Sequence, residues 1–410
     1  MVNDMPLYEK RDFGDKGDFI LMLGGACNMR CRHCAQMPVR EEGVDYRVPI
    51  APKVMRMMDN YVRYALGRDD RQRHIYFYGG EALLYWDTIR DVVMRFAREY
   101  DLFATDAFRF GLQSNGLLLT RDKVDFMNMF GIGLGFSYDA PYPFAVRGYV
   151  PDGICELVKE VETHSIVPTC SNAYNYDMLL AYRCLKAKFP NAKSIRNTFN
   201  LSFSFDMPED IYAYDWERFG QAMRKLRIAA QLGDRYALGW FRMYFRQICS
   251  EKPDVSDGFR VASCLLEHAE MPVTADGRYS ACQNGDFFFG TVNDSLDGIN
   301  ARIRARLEKS VSPECAGCTH RDICRIHCQL DMRNPDGSYV TCRRYWWPLF
   351  SLIKKEMLKL SEPLSDEDRV WFAEQEKVMD GQVEAFLSEG KRFARERTRL
   401  PKGFGTGAGC

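Results

Sequence analysis

Apolar runs and helical periods alternate from about residue 19 to residue 231, and this alternation limits the fold more than any other feature. Strand candidates are residues 19–23, 74–78, 108–113, 133–136, 165–169 and 198–205. Amphipathic helical stretches lie between them. Residues 52–66 carry Pro52 at the start and Gly67 just past the end, which is helix punctuation. Residues 87–100 repeat apolar side chains at Ile89, Val92, Val93 and Phe96. Six strand-then-helix units imply an α/β fold with a parallel sheet and right-handed crossovers. Six units suit a partial, TIM-like (β/α)6 barrel better than a closed barrel of eight.

Chemistry in such barrels sits at the C-terminal ends of the strands, and the polar signals of this chain fall there. The run Cys27-Asn28-Met29-Arg30-Cys31-Arg32-His33-Cys34 follows the first strand. Gly79-Gly80-Glu81 follows the second and Ser114-Asn115-Gly116 the third. Ser137 and Asp139 follow the fourth, and Asn172 follows the fifth. Three thiolates at the spacing of Cys27, Cys31 and Cys34 can hold three irons of a [4Fe–4S] cubane, leaving the fourth iron open as a chemical site. The alternative for the same residues is a zinc ion with His33 as fourth ligand. The glycines and asparagines also read as plain turn residues.

The Cys-x3-Cys-x2-Cys run, with Asn28 after its first cysteine, resembles the cluster motif of the radical S-adenosylmethionine (SAM) enzymes. His33 stands where that family usually has an aromatic residue. The resemblance implies that the open iron chelates the amino and carboxylate groups of SAM. One electron then cleaves SAM to methionine and a 5′-deoxyadenosyl radical. Gly79-Gly80-Glu81 resembles the family's Gly-Gly-Glu motif, whose backbone carbonyls or Glu81 would accept hydrogen bonds from the methionyl ammonium. Ser114-Asn115-Gly116 looks like the Ser/Thr-Asn-Gly segment that lines the SAM site. Ser137-Tyr138-Asp139 with the later Arg147 resembles a Ser-x-Asp-Gly segment and its Arg. By that likeness Ser137 and Asp139 bind ribose or substrate, and Arg147 pairs with the SAM carboxylate. Ala140 replaces the usual Gly, and the usual His-Asp before the Arg is absent. Asn172 matches a family Asn near the nucleoside.

From Cys264 onward, Cys264, Cys282, Cys315, Cys318, Cys324, Cys328 and Cys342 follow a second specific spacing. It resembles the SPASM domain found after the barrel in many radical SAM enzymes, with a zinc ribbon as the alternative. The resemblance implies two auxiliary [4Fe–4S] clusters, three clusters in all. Cys264, Cys282 and Cys328 would ligate the nearer auxiliary cluster, and Cys315, Cys318, Cys324 and Cys342 the outer one. An eighth ligand comes from Cys249, or else the nearer cluster keeps an iron open to substrate. The sulfatase-maturing branch places an Asp base directly after the second SPASM cysteine. Here Gln283 holds that position, and Asp286 is the candidate catalytic base in its stead. Cys155, Cys170 and Cys184 read as buried small hydrophobes.

The expected domains are the barrel at 1–235, the SPASM domain at 236–345, a helical extension at 346–400 and a flexible tail at 401–410. The extension begins after Tyr345-Trp346-Trp347. Its second helix is expected from Ser365, whose Ser-x-x-Asp pattern to Asp368 is a capping box. Packing on the barrel is its default role. A formal net charge of zero argues against nucleic-acid binding by bulk electrostatics. No apolar run has membrane-spanning length, so a cytoplasmic protein is expected, and 15 cysteines there point to metal rather than disulfides. Only 26 residues precede Cys27, so a peptide substrate is expected to need a separate leader-recognition protein, the C-terminal helices or direct binding. An electron donor such as flavodoxin or ferredoxin is the other expected partner. The expected activity is oxidative modification of a peptide or protein side chain, such as a crosslink. The same radical chemistry on a small molecule and a non-catalytic iron–sulfur or zinc scaffold are the rivals.

Overall fold

The computed structural model of the chain describes residues 18–34, 49–67, 72–101, 106–142, 147–170, 177–195, 198–199, 215–249, 254–255, 259–260, 272–280, 288–295, 297–299, 301–302, 305 and 347–398. Its centre is a parallel sheet built from β1 (Phe19–Met22), β2 (Arg73–Tyr78), β3 (Phe108–Ser114), β4 (Gly133–Phe136) and β5 (His164–Ile166). Every neighbouring pair in this series is parallel, with Phe19 opposite Ile75, Ile75 opposite Phe110, Leu112 opposite Leu134 and Phe136 opposite Ile166. The crossovers are α1 (Pro52–Leu66), α2 (Trp86–Glu99), α3 (Arg121–Met129) and α4 (Asp152–Glu160). They cover one face of the sheet. Phe77 and Phe110 stack at 5.6 Å, and Phe96 of α2 meets Phe110 edge-on. Burying a Phe ring in such a layer stabilises the fold by about 1.5–3 kcal/mol.

The expected fifth and sixth strands differ from the structure in their bounds. The fifth is broken: β5 ends at Ile166, and β6 (Thr169–Cys170) resumes after Pro168, which has no N–H to give a ladder. The sixth begins earlier than expected. The strand beside β5 is β7 (Ser194–Ile195), and β8 (Thr198–Phe199) pairs in parallel with β6. The remainder of 198–205 lies outside the described residues. The expected helices agree closely, since α1 has the expected bounds and α2 begins at Trp86, one residue early.

On the other side of β1 the sheet continues into the cysteine-rich half of the chain. Next come helices α5 (Met178–Lys188), α6 (Trp216–Gln231) and α7 (Arg235–Cys249), then the short strands β9 (Asp254–Val255) and β10 (Phe259–Arg260). After them, β11 (Pro272–Thr274) runs parallel to β1, and β12 (Arg278–Ser280) and β13 (Phe288–Thr291) extend the sheet antiparallel. The sheet order is β13-β12-β11-β1-β2-β3-β4-β5-β7. The first barrel strand is therefore an interior strand, with a neighbour supplied from about 250 residues later in the chain.

The last two helices, α8 (Trp347–Leu358) and α9 (Asp366–Thr398), pack on α5 and α6. Along α9 the buried residues Phe372, Met379 and Phe386 recur every seven positions. Ser365 caps α9, its Oγ accepting from the Asp368 N–H at 3.1 Å. The Asp368 carboxylate leaves the cap for the barrel, where Arg224 and Arg227 donate to it. Among the described residues, no helix is long and apolar enough to cross a membrane.

Candidate functional site

The loops after β1, β2, β3 and β4 meet because their strands are adjacent and parallel. The β1–β2 ladder continues past both strands: Leu23 N–H donates to Tyr78 O, Gly80 N–H to Gly24 O, and Glu81 N–H to Ala26 O, at 2.8–2.9 Å. The two backbones lie so close that a Cβ at Gly80 would stand 2.3 Å from Ala26 O and 2.4 Å from Gly25 O. Gly-Gly is thus required first by the segment leading into Cys27. Tyr85, which the sequence did not single out, supports that segment from beneath, its hydroxyl accepting from Ala26 N–H at 3.3 Å.

Glu81 is buried, at 1% exposure, and its carboxylate takes three donors from its own chain. Oε1 accepts from Leu83 N–H at 2.9 Å and from the Ser114 hydroxyl at 2.6 Å. Oε2 accepts from Asn115 N–H at 2.8 Å. Burial pushes the Glu81 carboxyl above its ordinary pKa, against the pull of these donors. Ser114 in turn accepts from Gly116 N–H at 2.8 Å, where φ is +79° and a side chain would be strained. Glu81 therefore ties the turn after β2 to the turn after β3.

Cys27, Cys31 and Cys34 sit above these turns as thiols, with Cys31 buried. Cys27 Sγ accepts from Met29 N–H at 3.4 Å and faces the Asn115 amide nitrogen at 3.9 Å. Cys31 Sγ donates to Arg147 O at 3.5 Å. Burial pushes the Cys31 thiol up to about 11. The Arg147 cation opposes this, and the neighbouring Cys34 and Cys27 add to it. A buried thiol flanked by two others is suited to a cationic iron centre, which deprotonates coordinating thiols outright. His33 is buried as a neutral imidazole, with burial and Arg147 lowering its pKa to about 4. A cubane asks for one thiolate on each of three irons, which Cys27, Cys31 and Cys34 can supply.

Asp139 and Arg147 form a two-pronged ion pair at 3.0 and 3.2 Å, with the Asp139 side chain fully buried. Burial alone would raise the Asp139 carboxyl. The Arg147 guanidinium overcomes this and holds it below the usual range. Thr169, at the start of β6, completes the pair, its N–H donating to Asp139 at 2.8 Å and its hydroxyl accepting from Arg147 at 3.3 Å. No sequence signal marks Thr169. Ser137 is buried and accepts from the Gln113 amide at 3.2 Å.

The structure thus brings Cys27, Cys31, Cys34, Gly79, Gly80, Glu81, Ser114, Asn115, Ser137, Asp139 and Arg147 to one end of the sheet. Asn172, Asp286, Cys264, Cys282, Cys315, Cys318, Cys324, Cys328 and Cys342 lie outside the described residues. Cys249 is the last residue of α7, and its side chain lies outside them too.

A parallel α/β sheet with a three-thiol site at its strand ends defines the class, and the comparisons supply the family of that part. Residues 21–176 match the family model described as the radical SAM superfamily. The match implies a [4Fe–4S] cluster and SAM. The chain is similar to the radical SAM cyclopropyl synthase TigE of Paramaledivibacter caminithermalis, at 17% identity over 291 residues. That likeness covers 68% of this chain and 60% of TigE, so the chain spans about three fifths of this curated relative's length. Two solved structures share the fold. Native anSMEcpe with bound AdoMet matches at 15% identity and a TM-score of 0.56, over 83% of this chain and 98% of that one. Native anSMEcpe with AdoMet and the Cp18Cys peptide matches at 16% identity and 0.57, over 84% and 98%.

Proposed function

We propose that this chain is a radical SAM enzyme that cleaves SAM reductively and oxidatively modifies a peptide or protein side chain. The observation that carries the reading is the convergence of three crowded thiols with polar groups from four adjacent strand ends. Cys27, Cys31 and Cys34 would hold the cluster. Bound there, a cluster would supply the electron for reductive cleavage of SAM and hence hydrogen abstraction from an unactivated C–H bond.

The chain's own residues do the positioning. Asp139 and Thr169 aim the Arg147 guanidinium beside Cys31. They occupy Nε and Nη2, and among the described residues Nη1 has no protein partner. Arg147 is suited by this to meet the SAM carboxylate. Glu81 keeps the turns after β2 and β3 in register, so the SAM ammonium falls to the backbone carbonyls of Gly79 and Gly80. Ser137 and Asn172 are the candidates for the nucleoside. Burial of the site shields a radical from water.

The SPASM reading stands beside this. The seven cysteines from Cys264 to Cys342, with Cys249 as the eighth, would hold two auxiliary clusters, which would supply an electron acceptor for a net oxidation, with Asp286 as the proposed base. A peptide substrate is supported by the anSMEcpe structure that holds the Cp18Cys peptide. Flavodoxin or ferredoxin is the proposed reductant, and a separate leader-recognition protein is the proposed partner. The test is anaerobic: reconstituted protein with SAM and a low-potential reductant should release 5′-deoxyadenosine, and a substrate peptide should change mass. Absence of 5′-deoxyadenosine from protein carrying a complete four-iron cluster refutes the reading.

A further inference from the structure

The Ser114-Asn115-Gly116 turn reaches the cysteines through a single side chain. Asn115 is buried at 6% exposure, and its amide is fixed at every atom. The carbonyl Oδ1 accepts from Leu117 N–H at 3.0 Å. A backbone N–H can only donate, so this contact settles which end of the amide is oxygen. The NH2 end must then face the cysteine loop. It donates to Asn28 Oδ1 at 2.8 Å and is directed at Cys27 Sγ at 3.9 Å. The backbone of the same residue is held by Glu81 Oε2 at 2.8 Å.

We infer that Asn115 is a positioning residue that directs an amide N–H at the Cys27 sulfur and thereby raises the reduction potential of the cluster those cysteines hold. The inference rests on the functional reading above. Its physics is simple. Reduction adds negative charge to the cluster and its thiolates, and an N–H dipole aimed at a ligating sulfur stabilises the more negative state. Asn115 is buried and its contact with Cys27 is partly buried, so water screens the dipole less than it would at the surface. Glu81 and Leu117 bear the cost of orienting it, and Asn28 takes the second amide hydrogen. The one turn thus holds the loop in place and sets how readily its cluster accepts an electron.

The measurement is a redox titration of the reconstituted, SAM-free cluster followed by electron paramagnetic resonance, for wild type, Asn115→Leu and Asn115→Asp. Leu keeps the volume and removes the donor. Asp keeps the shape and turns an oxygen towards the sulfur. Both variants should show at least a tenfold smaller ratio of reduced to oxidised cluster at a fixed potential, a shift of about 59 mV for one electron. Asp should shift further than Leu. If Asn115→Leu does not retain iron, Asn115→Asp decides alone. Wild-type potential in a variant that holds a full cluster overturns the inference while leaving the radical SAM reading intact. A wild-type protein that assembles no four-iron cluster on Cys27, Cys31 and Cys34 overturns both.

Discussion

Arg227 on α6 and Glu356 on α8 form a 2.7 Å ion pair whose side chains are only 3% and 6% exposed. Arg227 also donates to Asp368 at the start of α9, at 2.7 Å. One guanidinium therefore joins the barrel to both helices of the C-terminal extension. Arg227→Ala should leave Glu356 buried without its cation, which costs about 3–5 kcal/mol. Denaturant unfolding of the purified protein gives the number, and a loss below about 1 kcal/mol would mean that the pair is not what secures the extension.

Asp368 supplies the pH dependence of that junction. Burial pushes its carboxyl up, but hydrogen bonds from Arg227 and Arg224 prevail and hold it below the ordinary value. A carboxyl with a lower pKa folded than unfolded adds stability above the unfolded value. That stability is lost as pH falls through the folded value. Asp368→Asn should be less stable than wild type at pH 7, and the two curves should meet only below about pH 4. Curves that meet between pH 6 and pH 7 would assign the effect to another group.

Gly80→Ala tests how the turn after β2 is built. The added Cβ would fall 2.3 Å from Ala26 O, a backbone atom that cannot swing aside. The variant should displace the segment entering Cys27, hold less iron after reconstitution and bind SAM more weakly. Iron content and SAM affinity equal to wild type would show that this close approach is not needed.

Cys31→Ala should abolish 5′-deoxyadenosine formation, because the buried central thiol of the three is lost. Cys318→Ala should leave SAM cleavage intact and block product formation, if the auxiliary clusters have the proposed role. Normal SAM cleavage by Cys31→Ala would end the functional reading.

Full anaerobic reconstitution should load roughly 12 irons, four for each of three cubanes. About four irons, or a stable zinc-only protein, would refute the auxiliary clusters. Cys249→Ala should lower the iron occupancy of the nearer one. A holoenzyme structure with Cys249 Sγ beyond ~4 Å from every iron, against about 2.3 Å for a metal–thiolate bond, would assign the open position to substrate instead.

Much of the barrel and its motif residues could be read from the sequence because those signals are local. Pro52 and Gly67 bound a helix through their own backbone chemistry, and the bounds of α1 agree with them. The spacing of Cys27, Cys31 and Cys34 belongs to one short loop, and β1 to β4 each show themselves as apolar runs beside a turn. The roles within the site were not local. Glu81 reads as a ligand-facing acid, yet its partners Ser114 and Asn115 lie 33 and 34 residues away on the next strand. Arg147 is aimed by Asp139 and by Thr169, 22 residues further on, a residue with no pattern of its own. The neighbour of β1 comes from the Pro272–Thr274 segment, and Ser365-x-x-Asp368 forms its cap while its acid serves Arg224 and Arg227 instead. Spacing along the chain determines where a turn, a cap or a cluster loop falls. The choice of donor for a buried carboxylate depends on which strand ends the packed sheet brings together, and only the tertiary structure decides that.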